Sequence, residues 1–546
     1  MNLPKELHDI LKGNVALDGT TLHTYSHDTS IFELQPQAVV FPRSVSEIKT
    51  LVKYVTEKKK DNPSLSLTSR SGGTDMGGGA INDSVIIDFA KYFHRLGTIN
   101  REGTWIEPGV FYRDFEPLAA KRGFYFPPYP ASKNICAFGG MVANNAGGEK
   151  TLTYGKTIDY VEELRVVLSD GEEYLLKPLS KDELGKKTRQ RNFEGEVYRR
   201  VLAVIEKNYN LIKQAKPKVS KNSTGYNVWD VWDKKTFDLT KLFVGSQGTL
   251  GILTDIKVGL AEIKNYSGLL IVYLDELQVL PKLIGDVVST KPASFEAFDD
   301  HTMKLALRFI PKFSEILGPV ETINMGLTFL PQLLRFARGG IPKFTLLVEY
   351  EGDSQEEIDD KIEKLKAKIA HYNLEVSTAA TKEKAAKYWV IRRESFNLLR
   401  KNIKDKHTAP FIDDLIVPPE KLPEFFPKLT KILEKHELLY TVAGHMGDGN
   451  FHIIPLMDLR IPAERKKIPR VEEEVNELVF RFGGSMSGEH NDGMIRGPFL
   501  KQMYGEGMFK IFQEIKTIFD PQNIFNPHKK TDADMDFSAH HMRLHF

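Results

Sequence analysis

The stretch TSRSGGTDMGGGA, residues 68–80, decides how the first half of this chain is read. Gly72, Gly73, Gly77, Gly78 and Gly79 carry no Cβ, so the backbone there can approach a ligand closely and turn N–H groups towards an anion. A diphosphate is the obvious anion. In a dinucleotide-binding βαβ unit such glycines open a helix. Here they run into Ile81-Asn82-Asp83 and then an apolar run at 85–87, which reads as a strand. That unit is therefore excluded, and a surface loop is the competing reading of this stretch alone.

Working outward, residues 38–41 read as a short buried strand. Ser44 and Glu47 have the spacing of a capping box. Ile48, Leu51, Val52 and Val55 then fall on one helical face, and Leu65 and Leu67 alternate. A second glycine-rich stretch, PPYPASKNICAFGGMVANNAGGEKTLTYG, spans 127–155. A hairpin with Asp170-Gly171 as its turn follows, and a third glycine stretch, GSQGTLG, lies at 245–251. Beyond it, strands at 269–274 and 345–350 alternate with amphipathic helices at 354–371 and 382–402. The expectation is an α+β chain: a first domain over 1–262, a second over 263–530 built on an antiparallel sheet with helices on one face, and a loose tail over 531–546.

Bulk properties narrow the function classes. The 546 residues allow two to four domains. A net charge of +2, with no basic module set apart, gives no case for a nucleic-acid partner. The single cysteine, Cys136, excludes an internal disulfide, a cysteine-ligated iron–sulfur cluster and a Cys-rich zinc site in this chain. The N-terminus lacks the apolar core of a signal peptide, and no run of about 20 apolar residues suggests a membrane span. A cytoplasmic location is expected.

The most informative segment is LLYTVAGHMGDGNFHIIPL, residues 438–456. Two apolar runs flank Asp448-Gly449, a two-residue hairpin signal. With that turn, Gly447 pairs with Asn450, Met446 with Phe451, and His445 lies opposite His452, with Cβ atoms roughly 4.5–5.5 Å apart. SMSGEHNDGMIRG, residues 485–497, adds Glu489 and His490 in a glycine-rich bend. Oxygen and nitrogen ligands together suit zinc or manganese. Taken alone, the hairpin reads first as two surface histidines, and that reading is favoured for this segment by itself.

The whole chain resembles the FAD-binding oxidoreductases of the vanillyl-alcohol oxidase/PCMH type, and within them the D-lactate, glycolate and D-2-hydroxyglutarate dehydrogenase branch. FPRSVSEIKTLVKYV, SRSGGTDMGGG, FGGMVANNAGG, GSQGTLGILT and FNPHKK carry the resemblance, in the family's order, from about residue 25 to 530. It implies that Arg70, Ser71, Gly72, Gly73, Thr74 and Asp75 cradle the pyrophosphate of FAD. It also implies that Ser132, Gly139, Gly140, Asn144 and Gly147 line the cofactor. Gly245, Gly248, Thr249, Gly251 and Ile252 would pack along its adenine and ribose, and Asn526 would close the site. Glu489 becomes the third metal ligand beside His445 and His452. Two departures matter: Gln247 stands where the family commonly has Glu, and Thr74 stands where covalently flavinylated relatives have His. The latter implies non-covalent FAD. The spacing of Cys136 to Gly139 is not that of a cysteinyl link, so a buried inert thiol is expected.

The implied reaction oxidises a small D-2-hydroxy acid. His490 is the expected base, with a further ligand role as its alternative. Arg392, in a Trp389-x-x-Arg392 pattern, is expected to grip the substrate carboxylate bidentately, and Asn450 to donate a hydrogen bond to it. Ile412 falls where 2-hydroxyglutarate members carry Lys, which weakens the case for a second substrate carboxylate. A flavin-dependent transferase of alkylglycerone-phosphate synthase type, an oxidase using oxygen and a binding protein without chemistry are the alternatives. Electrons would pass to a quinone, a cytochrome or an electron-transfer flavoprotein. Residues 303–343 mix Leu, Phe and Ile with Lys and Arg. They read either as a peripheral contact with the cytoplasmic face of a membrane or as a packed insertion or homodimer contact.

Overall fold

The structure is a computed structural model that describes residues 3–300, 302–304, 340–379, 385–386, 388–389 and 406–545. Ala38–Val40, Val85–Asp88 and Leu67–Arg70 lie parallel, with Val15–Ala16 antiparallel at the edge. Parallel neighbours need a crossover, and the helix Val45–Lys58 supplies one, burying Ile48, Leu51, Val52 and Val55. Ser44 caps it through the Glu47 N–H, but the Glu47 carboxylate takes the N–H of Arg43, so only half of the expected capping box forms. A second sheet orders Thr104–Ile106, Ile252–Val258, Val161–Val167 and Glu173–Leu176. Its last pair turns at Asp170-Gly171, where Gly171 has φ +73°.

The second half is built on an eight-stranded sheet whose pairings are all antiparallel. Alternate side chains give it two faces. Leu270, Val272, Leu346, Val348, Phe295 and Ala297 pack under the helices Leu280–Val288, Gln355–Ile369, Leu422–Lys435 and Lys467–Arg481. The opposite face carries Glu296, Phe298, Leu347, Glu349 and Glu351. It meets the first half where buried Lys150 bonds Glu349 at 2.5 Å and Glu351 at 2.6 Å.

The end of the chain returns to the beginning. Met508, Ile511, Phe512, Ile515, Ile518 and Phe519, from the helix Leu500–Phe519, enter the core of the first half. The N–H of Leu67 then donates to Ile524 O, and that of Asn526 to Leu67 O, extending the first sheet. So residues 508–526, grouped by sequence with the second domain, pack on the first. The tail expected to be loose is also docked. Met535–His540 is a helix capped by Asp534, Met542 is buried, and Glu33 and Arg543 donate N–H groups to His541 O and Ile31 O. One helical turn followed by a single bridge leaves no period for sequence to show. The 382–402 helix and the 303–343 segment lie almost wholly outside the described residues. Among the described residues no helix is long and apolar enough to cross a membrane.

Candidate active site

The three glycine stretches meet, and four polar side chains stitch them together. Asp75 Oδ2 accepts the N–H groups of Gly77 (2.8 Å) and Gly79 (2.6 Å), while its Oδ1 accepts Asn144 Nδ2 at 2.5 Å. Gln247 donates to Asn144 Oδ1 (3.4 Å) and accepts the N–H of Gly493 (2.8 Å). Asn526 donates to the carbonyls of Gly79 and Gln247, at 2.8 and 2.6 Å, and accepts Thr68 Oγ1. Gln247, at the family's Glu position, thus pins the loop as a neutral amide.

Within this frame, no described residue accepts a hydrogen bond from the N–H groups of Ser71, Gly72, Gly73 or Thr74. A run of unused backbone donors fits a diphosphate. Arg70 departs from its expected role. Its guanidinium turns back to the carbonyls of Tyr25, His27 and Ala80 and lies over the Tyr25 ring, so it braces the loop from behind. Gly73, at φ +63°, presses on that guanidinium: a Cβ there would sit 2.5 Å from Nη2. Ser132 closes a turn through its carbonyl, which accepts the N–H groups of Ile135 and Cys136. Gly139 lies against Ser71, whereas Gly140 faces open space. Gly245 and Gly248 have φ +85° and +68°, and Gly251 has φ +157°. Thr249 and Ile252 are buried with their side chains in the protein, so they can offer a cofactor only backbone. Gly147 links the groove to the second half, since a Cβ there would lie 3.3 Å from Glu489 Oε1.

Beside Gly147, ligand atoms of His445, His452 and Glu489 lie within 4.8 Å of one another. The hairpin that brings the histidines together differs from expectation. Residues 446–449 form a four-residue loop, with a 3-10 turn at Met446–Asp448 and Gly449 left-handed at φ +70°. His445 therefore pairs with Asn450, and His452 with Ala443. A shift of two residues keeps the face, and the imidazole centroids are still 5.2 Å apart. The Nε2 of His445 lies 3.1 Å from Glu489 Oε1.

Four supporting residues gave no signal in the sequence. Glu296 Oε1 takes His445 Nδ1 at 2.6 Å, and Asp413 takes Nδ1 of His452 at 3.0 Å and of His490 at 2.6 Å. Asp414 Oδ2 accepts the N–H groups of Glu489 and His490 and the hydroxyl of Ser487. Lys221, wholly buried, pairs with Glu489 and Asp448. A carboxylate behind each imidazole is how metal-ligating histidines are oriented. Asp413, His452 and His490 also cluster within 4.8 Å, but their contacts run through hydrogen-bonding Nδ1 atoms, so they read as support. Burial lowers the affinity of His445 for a proton, yet Glu296 and Glu489 outweigh it and raise the group to about 9. His490 is likewise disfavoured by burial and raised to about 9 by Asp413 and Asp414. Burial opposes the Glu489 anion, but His445 and Lys221 hold it well below the usual range. A cluster with this excess of negative charge takes up protons or a dication, and the two compete.

Asn450 corrects an expectation. It is wholly buried, and its amide hydrogens go to Asp414 Oδ1 and Leu415 O, both at 3.0 Å. It holds Asp414 rather than donating to a substrate. Arg392 lies outside the described residues, while Trp389 is buried against Phe298 and Leu347.

Residues 36–176 match the family described as "FAD binding domain", and residues 269–530 match "FAD linked oxidases, C-terminal domain". The chain therefore carries an FAD binding domain followed by the C-terminal domain of FAD-linked oxidases. Among curated relatives it is 28% identical over 531 residues to D-2-hydroxyglutarate dehydrogenase of Escherichia coli (strain K12), covering 95% of this chain and 50% of that protein. It is 26% identical over 515 residues to D-lactate dehydrogenase of Anaerostipes hadrus, covering 92% of each. The chain spans about half the length of the first curated relatives it matches. Among solved structures, p-cresol methylhydroxylase has a TM-score of 0.67 at 15% identity, covering 97% of this chain and 96% of that one. Alkyldihydroxyacetonephosphate synthase has 0.67 at 13%, covering 96% and 86%. These likenesses establish a shared PCMH-type fold.

Proposed function

We propose that this chain oxidises a small D-2-hydroxy acid, with D-lactate as the type substrate, to the 2-oxo acid. FAD is held non-covalently, and one divalent cation, zinc or manganese, is held by His445, His452 and Glu489. The observation that carries this reading is the convergence of those three ligands beside Gly147 of the second glycine stretch. Thr74, at the place where flavinylated relatives carry His, supports non-covalent attachment.

When bound, FAD supplies the hydride acceptor, and the cation lowers the pKa of a hydroxyl group beside it. The chain's own residues supply the rest. Three protein ligands leave a position open for substrate. His490 presents Nε2, since Nδ1 is taken by Asp413, and this is the atom to receive the hydroxyl proton. A dication nearby opposes the extra proton that Asp413 and Asp414 otherwise favour on that ring. Arg392 is the residue for the substrate carboxylate. At the position where 2-hydroxyglutarate members carry Lys, Ile412 is buried in the core and offers a second carboxylate no cation. Electrons then leave to a quinone, a cytochrome or an electron-transfer flavoprotein. Contact of 303–343 with a membrane surface, or with a second copy of the chain, belongs to the same proposal, as does a cytoplasmic location.

The visible spectrum tests the reading. Purified protein should be yellow, release FAD on mild denaturation and bleach on anaerobic addition of D-lactate. Flavin that stays with precipitated protein would overturn non-covalent attachment. Bleaching by D-2-hydroxyglutarate but not by D-lactate would overturn the substrate assignment.

A further inference from the structure

The two acids after Ile412 do different work. Asp414 holds backbone: the N–H groups of Gly488, Glu489 and His490 donate to its carbonyl or carboxylate. Asp413 holds side chains. It is wholly buried, with Oδ1 3.0 Å from Nδ1 of His452 and Oδ2 2.6 Å from Nδ1 of His490. The two rings stack with centroids 5.0 Å apart and an interplanar angle of 25°. Asp413 is fixed from behind, because Arg496 Nη2 donates to its carbonyl at 2.8 Å.

An ionised carboxylate only accepts hydrogen bonds. Each neutral ring must therefore carry its hydrogen on Nδ1 and leave Nε2 bare. We propose that Asp413 is a positioning residue that sets the tautomers of the metal ligand His452 and the base His490 together, so that one buried carboxylate aims both lone pairs into the same site. This rests on the metal and base assignments given above. An asparagine cannot replace it. Its side chain has one acceptor and one donor end, so one of the two rings would meet an N–H, turn its lone pair to Nδ1 and place its hydrogen on Nε2, facing the site.

The test compares flavin-loaded wild type with Asp413→Asn, Asp413→Glu and His490→Ala. It reads zinc affinity against a chromophoric chelator, the rate of flavin reduction by D-lactate, flavin content, and the downfield imidazole N–H proton resonances. Asp413→Asn should keep its flavin and lose one or both N–H resonances seen in wild type. It should also bind zinc about 10- to 100-fold more weakly, reduce flavin about 100- to 10,000-fold more slowly, or both. Asp413→Glu, which keeps two acceptors, should recover both resonances and part of the lost function. His490→Ala should slow reduction and leave zinc affinity unchanged. Wild-type zinc affinity together with a wild-type reduction rate in Asp413→Asn would overturn the proposal, as would unchanged N–H resonances. Wild type that binds no zinc would defeat the metal reading alone, and the N–H resonances would still decide the role of Asp413. If Asp413→Asn fails to retain flavin, loss of both resonances in Asp413→Glu overturns the proposal and their survival supports it.

Discussion

Cys136 is 4% exposed, and burial pushes its thiol up to about 12. Thiolate is the reactive form, so iodoacetamide at pH 8 should leave the native protein unlabelled and modify one cysteine after unfolding; prompt labelling of the native chain would contradict the burial. Glu472 is the opposite kind of buried group. Neither carboxyl oxygen has a hydrogen-bond partner, and burial, only partly offset by Arg496, raises it well above the usual range. Above the unfolded carboxyl value of about 4.3 the unfolded chain has released this proton while the folded one still holds it. Stability from this group therefore falls as pH rises. Glu472→Met should be more stable than wild type at pH 8, with the advantage shrinking towards pH 4. An advantage independent of pH in urea titrations would show that the carboxyl is not the cause. The inert cysteine was legible from its spacing to Gly139. Glu472, Glu296, Asp413, Asp414 and Lys221 were not, because an acid or lysine in one helix, strand or loop carries no local pattern; only the fold sets what surrounds it.

The hairpin around Asp448 shows what local pattern can and cannot specify. The Asp448-Gly449 turn between two apolar runs placed both histidines on one face, and that survives in the structure although the register differs. The Asp-Gly pair signalled a two-residue turn, but the strands stop earlier, because Gly449 is needed elsewhere. Its Cα lies so close to the segment after Leu415–Ile416 that a Cβ would sit 2.1 Å from Val417 O. Gly449→Ala also pays about 1–2 kcal/mol for its left-handed backbone. This variant should lose zinc while keeping FAD, because the loop carries Asp448 and follows His445, and its contact with the second glycine stretch, Gly447 against Leu152, lies away from the substituted residue. Zinc binding at wild-type affinity would refute the role of this loop. The glycine stretches were legible in the same limited way. Their composition announced a close ligand approach, but the inward turn of Arg70 depends on the carbonyls of Tyr25 and His27, far away in sequence, and on that of Ala80 at the far end of the same stretch.

In the whole molecule, one segment holds the two halves against each other. Residues 487–494 receive Lys156 and Ser223 at Gly488 O, Lys221 at Glu489 and the Gly225 N–H at Asp492. They reach back through Asn491 to Asn144 O and Gly245 O. Glu489, the proposed metal ligand, thus stands on backbone that the first half fixes. The chain's end closes this assembly, and its docking was invisible in sequence for want of a period. Deleting 534–546 removes buried Met542 and the bonds to Ile31 and Glu33. It should cost about 2–4 kcal/mol in urea unfolding; an unchanged midpoint would mean that the tail does not dock in solution.

The central claim is that flavin reduction by a 2-hydroxy acid depends on a cation at His445, His452 and Glu489. The direct measurement is the rate at which D-lactate bleaches the flavin band anaerobically, taken before chelation, after exhaustive chelation with metal content checked by elemental analysis, and after zinc is restored. The account predicts that the rate collapses with the metal removed and FAD still bound, that zinc restores it in wild type, and that zinc fails to restore it in Glu489→Ala. Bleaching at full speed in protein shown to contain no metal would contradict it.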